Sequence, residues 1–343
     1  MPYKLPIPAS INYRWNFRSL IGIVYTIQLI SRIMLSLRYF ARVGLNSFDS
    51  VENIVREVRG RVSIRRLHLV RSQAILLLIY LHIIRSLFYR RRANIFISLQ
   101  RAVILLITMG TAFLGYVLPW RQISFWGATV ITRFLGVLPY GPDILEWVWG
   151  RYTVDHPTLT RFFSLHYILR ISIAPLSLLH IVLLHEDGSR TPLGDRSDIY
   201  LPFWPYFGVK DMWPALLVLT LILVLILFLR PETENLKPAN PIVTPTHIKP
   251  EWYFLIYYAI LRAVPSKVRG LLLMLLSIIA IVVVLTAGKK LGTPTGTILF
   301  SLFLAVCLVL RILGGKPVEE PFLTSSLLRA IAYFILASFI YLV

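Results

Sequence analysis

One cysteine, Cys307, stands in a chain of 343 residues. That excludes an intrachain disulfide and a cysteine metal cage, so any bound metal must find other ligands. Acidic residues are scarce too: 16 Asp and Glu stand against 36 Lys and Arg, a formal net charge of +20. Charged residues make up only 15% of the chain and hydrophobic ones 57%, which excludes an ordinary soluble domain. The cationic surplus does not point to nucleic acid, because many of the arginines sit inside or beside apolar runs. A membrane protein that touches anionic lipid or an acidic partner accounts for it better. The first 16 residues are polar and lack the short apolar core of a cleavable signal peptide.

What the chain does have is long apolar runs. Eight are predicted to cross a bilayer as helices, near residues 17–39, 68–89, 97–118, 162–185, 212–229, 270–288, 296–313 and 325–343. Each has about the 20 residues a span needs. Helices are required because hydrocarbon offers the backbone no hydrogen-bond partner. The fold class is therefore all-α and polytopic. The segment 123–150 is rich in Trp, Gly and Pro and carries Asp143 and Glu146, so short helices lying at the interface are expected there. The stretch 230–269 reads as a long loop, punctuated by Pro231, Pro238, Pro241, Pro245, Pro250 and Pro265. A loop of that length in a compact protein is usually functional.

Four of the seven histidines form a pattern. His68 and His82 lie on the second span and His166 and His180 on the fourth; 82 − 68 and 180 − 166 both equal 14. Fourteen residues are close to four helical turns, so each pair shares a face with its members about 21 Å apart along the axis. The second and fourth spans cross in the same direction. His68 is then level with His166, and His82 with His180. A single His in a span is usually a satisfied polar group or part of a proton path. Two pairs at equal spacing are better read as two bis-histidine sites. Zinc would want a closer cluster of three or four ligands, whereas two axial imidazoles suit a low-spin haem. Arg65 and Arg85 each lie about one turn from a histidine, placed to pair with haem propionates or to snorkel to the interface.

Beside these features the sequence closely resembles the cytochrome b family of respiratory ubiquinol–cytochrome c reductases (complex III). The matching segments are FDSVENIVREV at 48–58, TAFLGYVLPW at 111–120, SFWGATVIT at 124–132, TLTRFFSLHYIL at 158–169, LLHEDGS at 183–189 and KPEWYFLIYYAILRAVPSK at 249–267. The last three spans match in hydropathy alone. The 14-residue spacing on the fourth span is similar to that of the respiratory type.

The resemblance implies a di-haem bundle over residues 1–210 and a four-span region over 211–343. It implies two non-covalent b-type haems, with ubiquinol and ubiquinone as substrates. Pro250 to Tyr253 (PEWY) marks the quinol-oxidising pocket, where Glu251 accepts a proton beside Tyr258, and Trp126, Gly127 and Ala128 line the same pocket. A carboxylate in an apolar, aromatic setting takes up a proton more readily; without the motif, Glu251 would read as a surface loop residue. The resemblance assigns quinone reduction to His185 and Asp211, with Lys210 linking Asp211 to water. It also implies a Rieske-type iron–sulfur subunit, a c-type cytochrome subunit, a dimeric complex and the mitochondrial inner membrane, with a bacterial plasma membrane as the second choice. The partner centres belong to separate subunits, because this chain lacks their cysteines. Two rival readings are a different di-haem cytochrome and a transporter with a histidine proton relay.

One departure is large. The family carries glycines spaced by 14 on its first and third spans; here those positions hold Arg18, Arg32, Arg101 and Gly115. Arg71, Arg121 and Arg151 also stand where glycine is usual, and Arg14, Arg66 and Arg170 replace other family residues. Guanidinium groups in a span need partners. Two readings follow: the haem surroundings are rebuilt around cations, or some of these codons are not read as arginine.

Overall fold

A computed structural model describes residues 5–42, 45–57, 61–89, 95–187, 197–228, 233–286 and 294–342. Pro231 lies outside these residues, as do Gly188 and Ser189 of the LLHEDGS segment. Twelve α-helices run through the described residues. They are α1 (Phe17–Ser36), α2 (Leu45–Arg56), α3 (Arg61–Phe88), α4 (Ile95–Val117), α5 (Gln122–Arg133), α6 (Gly141–Trp149), α7 (His156–Asp187), α8 (Gly208–Phe228), α9 (Leu255–Arg262), α10 (Lys267–Thr286), α11 (Pro294–Gly314) and α12 (Phe322–Leu342). Among the described residues eight helical segments are long and apolar enough to cross a membrane, and they fall on the eight expected runs. The fourth begins earlier than its apolar run, at His156. A polar first turn with Pro157 near its start extends that helix without needing apolar residues.

Two other features differ from the sequence expectation. Pro6–Pro8 (β1) pairs antiparallel with Tyr200–Pro202 (β2), with Ile7 opposite Leu201. In a two-stranded sheet both strands are edges, so their prolines are tolerated. The expected loop at 230–269 contains a helix, α9. Its apolar and aromatic residues lie between Pro250 and Pro265, which punctuate the chain on either side.

The chain divides into two compact units. The first comprises residues 1–39, 50–105 and 172–230. Here α1 packs on α3, and α3 on α8. The buried residues of α1 are Leu20, Val24, Gln28, Ser31 and Arg32, a stripe at helical spacing whose later members are polar. Trp15, Ile7, Ile11 and Phe207 form a small apolar cluster beside the β1–β2 pair.

The second unit comprises residues 40–49, 106–171 and 231–343. The short helices α5 and α6 belong to a core of Leu114, Val117, Trp120, Phe125, Ala128, Trp149, Val154, Leu159 and Phe162. Trp149 satisfies its indole by donating to Thr132 Oγ1 at 2.8 Å. Helices α10, α11 and α12 pack together, and α9 packs on all three. Two glycines allow that approach. A Cβ on Gly270 would meet the Leu261 carbonyl oxygen at 2.2 Å, and one on Gly314 would meet that of Leu255 at 2.2 Å.

Candidate functional site

The four paired histidines are best read through their Nδ1 atoms, because an imidazole that offers Nε2 to a metal must carry its hydrogen on Nδ1. In the first unit, His68 Nδ1 lies 3.1 Å from Ser31 Oγ. The Ser31 hydroxyl hydrogen is directed to the Gln28 carbonyl at 3.0 Å, so toward His68 the hydroxyl accepts. Gln28 in turn donates to the His68 carbonyl at 2.8 Å. His180 Nδ1 lies 3.3 Å from Gln100 Oε1, again an acceptor, while Gln100 Nε2 donates to the Leu176 carbonyl at 3.1 Å. In the second unit, His166 Nδ1 lies 2.8 Å from the Thr111 carbonyl, which only accepts. Three rings are thus set in the ligating tautomer by acceptors on neighbouring helices.

His82 is the exception. Its Nδ1 faces Arg85 Nη2 at 3.4 Å, and a guanidinium only donates. Iron on Nε2 requires that long contact to be given up. Arg85 lies over the Trp15 ring at 4.9 Å, and its buried Nε has no hydrogen-bond partner among the described residues. The electrostatic neighbours of His82 are Arg85, Arg101, His180 and Arg18. Arg101 donates to Ser86 Oγ at 3.0 Å. Arg65 stands one turn before His68 on α3, half-buried.

The chemistry of these imidazoles fits a haem. The acceptors behind His68, His166 and His180 leave each Nε2 without its hydrogen, and Gly115 admits the His166 ring against α4, since a Cβ there would meet that ring at 2.6 Å. Among the described residues no three His, Cys, Asp or Glu gather into a metal cage, as a pair of axial imidazoles does not require one.

At the start of α8, Lys210 Nζ pairs with Asp211 at 2.9 Å and donates to Asn16 Oδ1. Asn16 Nδ2 returns a bond to the Lys210 carbonyl at 3.3 Å. Lys210 also lies within 6 Å of the Tyr13 and Phe207 rings, at 5.7 and 5.9 Å. Asp211 sits in the first turn of α8, where the helix dipole favours a carboxylate, and Arg18 is its electrostatic neighbour. His185 lies exposed in the last turn of α7.

In the second unit Glu251 follows Pro250 and caps a 3-10 turn over Trp252–Phe254. Its carbonyl accepts from the Phe254 N–H at 2.9 Å, and Tyr253 is buried. Phe254 meets Phe113 edge-on, with ring centroids 6.0 Å apart. Trp126 donates its indole hydrogen to the Asn240 carbonyl at 3.1 Å, which fastens α5 to the proline-rich segment. Gly127 faces open space, and Ala128 is fully buried. Tyr258, on α9, carries the Arg262 guanidinium over its ring at 4.9 Å. Burial pushes the Arg262 guanidinium down from its usual value, and the charge and hydrogen bond of Tyr258 oppose that shift.

Sequence reasoning missed Ser31, Gln100, Thr111 and Arg262. Ser31 and Gln100 are polar residues inside apolar runs, and that was a readable signal. The role of Thr111 is made by its backbone carbonyl and leaves no trace in residue type.

Imidazoles set against acceptors on helices long and apolar enough to cross a membrane fit the class of multi-pass helical membrane cytochromes. A family model described as cytochrome b/b6/petB matches residues 3–188, and one described as cytochrome b(C-terminal)/b6/petD matches residues 238–334. The chain belongs to the cytochrome b/b6 family, and membership implies haem binding. A solved structure described as a hyperthermophilic respiratory Complex III superposes with a TM-score of 0.91 at 26% identity, covering 98% of this chain and 92% of that one.

Proposed function

We propose that the chain is the cytochrome b subunit of a ubiquinol–cytochrome c reductase, seated in the mitochondrial inner membrane. The observation that carries the reading is the pairing of both family matches with acceptor-oriented histidines at the two 14-residue spacings. His68 with His166 and His82 with His180 would hold the two haems, and Arg65 and Arg85 would pair with their carboxylate groups. When bound, the two b-type haems carry single electrons between the two quinone pockets.

This chain's own residues handle the protons. Glu251 takes a proton from quinol; Pro250, Tyr253 and the Trp126–Ala128 segment shape the pocket, and Tyr258 positions the substrate. At the other pocket His185 and Asp211 supply protons to quinone, with Lys210 holding Asp211 through its 2.9 Å pair and through Asn16. The division of labour follows residues 1–210 and 211–343, with α5 and α6 lying at the interface. A Rieske-type iron–sulfur subunit and a c-type cytochrome subunit complete a dimeric complex that also contacts anionic lipid. Neither rival reading, a different di-haem cytochrome or a histidine-relay transporter, draws support from the family matches.

Reduced-minus-oxidised spectra of the purified complex test this directly. Two b-type bands are expected, with one lost in a His180→Ala variant and the other in His68→Ala. Absence of b-type absorbance, or loss of neither band, refutes the assignment.

A further inference from the structure

From the contacts around α9 we infer that Arg262 is a positioning residue for quinol oxidation, acting through Tyr258. The inference rests on the proposed role of the Glu251–Tyr258 pocket. Arg262 ends α9 and is a turn beyond Tyr258, so the two side chains share a face. Its guanidinium lies over the Tyr258 ring at 4.9 Å. It also donates to the Leu313 carbonyl, in the last turn of α11, where a helix leaves its carbonyls without intrahelical partners and favours a cation. Gly314, the next residue, lets α11 approach the first residue of α9, and Gly270 lets α10 approach Leu261. The base of Arg262 is therefore fixed at both ends of α9.

The cation over the ring face sets what Tyr258 can do. A guanidinium has donors and no acceptor, whereas a phenol has one hydrogen and an accepting oxygen. Lying over the ring, Arg262 cannot take the phenol hydrogen, which is left for another acceptor. That makes Tyr258 a donor toward a quinol or quinone oxygen and keeps its ring from turning away. Arg262 touches no substrate in this scheme; it orients the group that does.

The test is a double-mutant cycle in the intact complex, comparing Arg262→Gln, Arg262→Lys, Tyr258→Phe and the Arg262→Gln/Tyr258→Phe pair. The readouts are kcat and KM for quinol at saturating cytochrome c, with haem difference spectra confirming assembly. Arg262→Gln is expected to lower kcat/KM about tenfold, mainly through KM, the size of one lost polar interaction. Arg262→Lys is expected to recover part of that loss. In the Tyr258→Phe background Arg262→Gln is expected to cost less than about twofold more, because contacting residues are non-additive. A full, additive loss in the Phe background overturns the inference while leaving the pocket intact. Unchanged kinetics in both Tyr258→Phe and Arg262→Gln overturn it together with the assignment of Tyr258. Should Arg262→Gln fail to assemble, the cycle runs with Arg262→Lys, and an additive result there is equally fatal.

Discussion

Gln100 accepts from His180 Nδ1 at 3.3 Å and donates to the Leu176 carbonyl at 3.1 Å. Replacing it by leucine removes the acceptor and leaves the imidazole N–H facing a hydrocarbon side chain. An unmet buried polar hydrogen costs about 1–3 kcal/mol, and lost partners behind metal-bound histidines cost roughly 10–100-fold in affinity. The two scales agree, since a factor of ten is about 1.4 kcal/mol. The bond is long, so the expected loss sits near the lower end, about tenfold weaker haem retention at the His82/His180 pair. Glutamate at the same position keeps an acceptor and adds charge, which raises imidazole basicity and favours the oxidised iron. Gln100→Glu should therefore hold haem and lower the midpoint potential of that site. Both variants lose the tie to Leu176, so that tie cannot explain a difference between them. The assay is haem-to-protein stoichiometry after graded detergent washing, with redox-titrated difference spectra. Haem retention in Gln100→Leu within twofold of the parent refutes the reasoning, as does a raised potential in Gln100→Glu.

Three further outcomes are expected. Glu251→Gln should slow quinol–cytochrome c turnover by roughly 100-fold, the lower end of proton-transfer contributions, with both haem spectra unchanged; wild-type turnover across neutral pH removes Glu251 from the mechanism. Asp211→Asn breaks the 2.9 Å pair with Lys210 and should slow reoxidation of the His82/His180 haem about 100-fold while electrons still enter from quinol, and reoxidation at the parental rate places the second pocket elsewhere. Arg71 is only 2% exposed, and its Nη1 has no partner among the described residues. Arg71→Gly should stabilise the chain, because an uncompensated buried charge costs about 3–5 kcal/mol against about 1 kcal/mol for a helical glycine; a lower melting temperature contradicts this. The same cost makes residue 71 the position where peptide masses should reveal a smaller residue read from that codon, and an arginine mass there would close that reading.

Much of this architecture is legible in the sequence because the bilayer allows so few solutions. A helix in hydrocarbon must be about 20 apolar residues long, so all eight runs and the structural spans coincide. The 14-residue histidine spacings survive translation into structure because α3 and α7 each run unbroken through both of their histidines, Pro175 of α7 included. What the sequence hides is made by backbone. The acceptor for His166 is a carbonyl of Thr111, and the helix α9 is held by close approaches at Gly270 and Gly314. The β1–β2 pair joins residues nearly 200 positions apart, each strand too short and proline-rich to carry a pattern.

The two glycines around α9 have a genetic consequence. At Gly270 and Gly314 even one added methyl group would press on a carbonyl of α9 at 2.2 Å, and neither oxygen can move without carrying the helix that bears Tyr258 and Arg262. A collection of respiratory-deficient alleles should therefore include alanine at these two positions, which lie on hydrophobic helices and bear no reactive group. Suppressors of such alleles should arise within α9 itself, as smaller residues near Leu255 and Leu261 that give back the lost space.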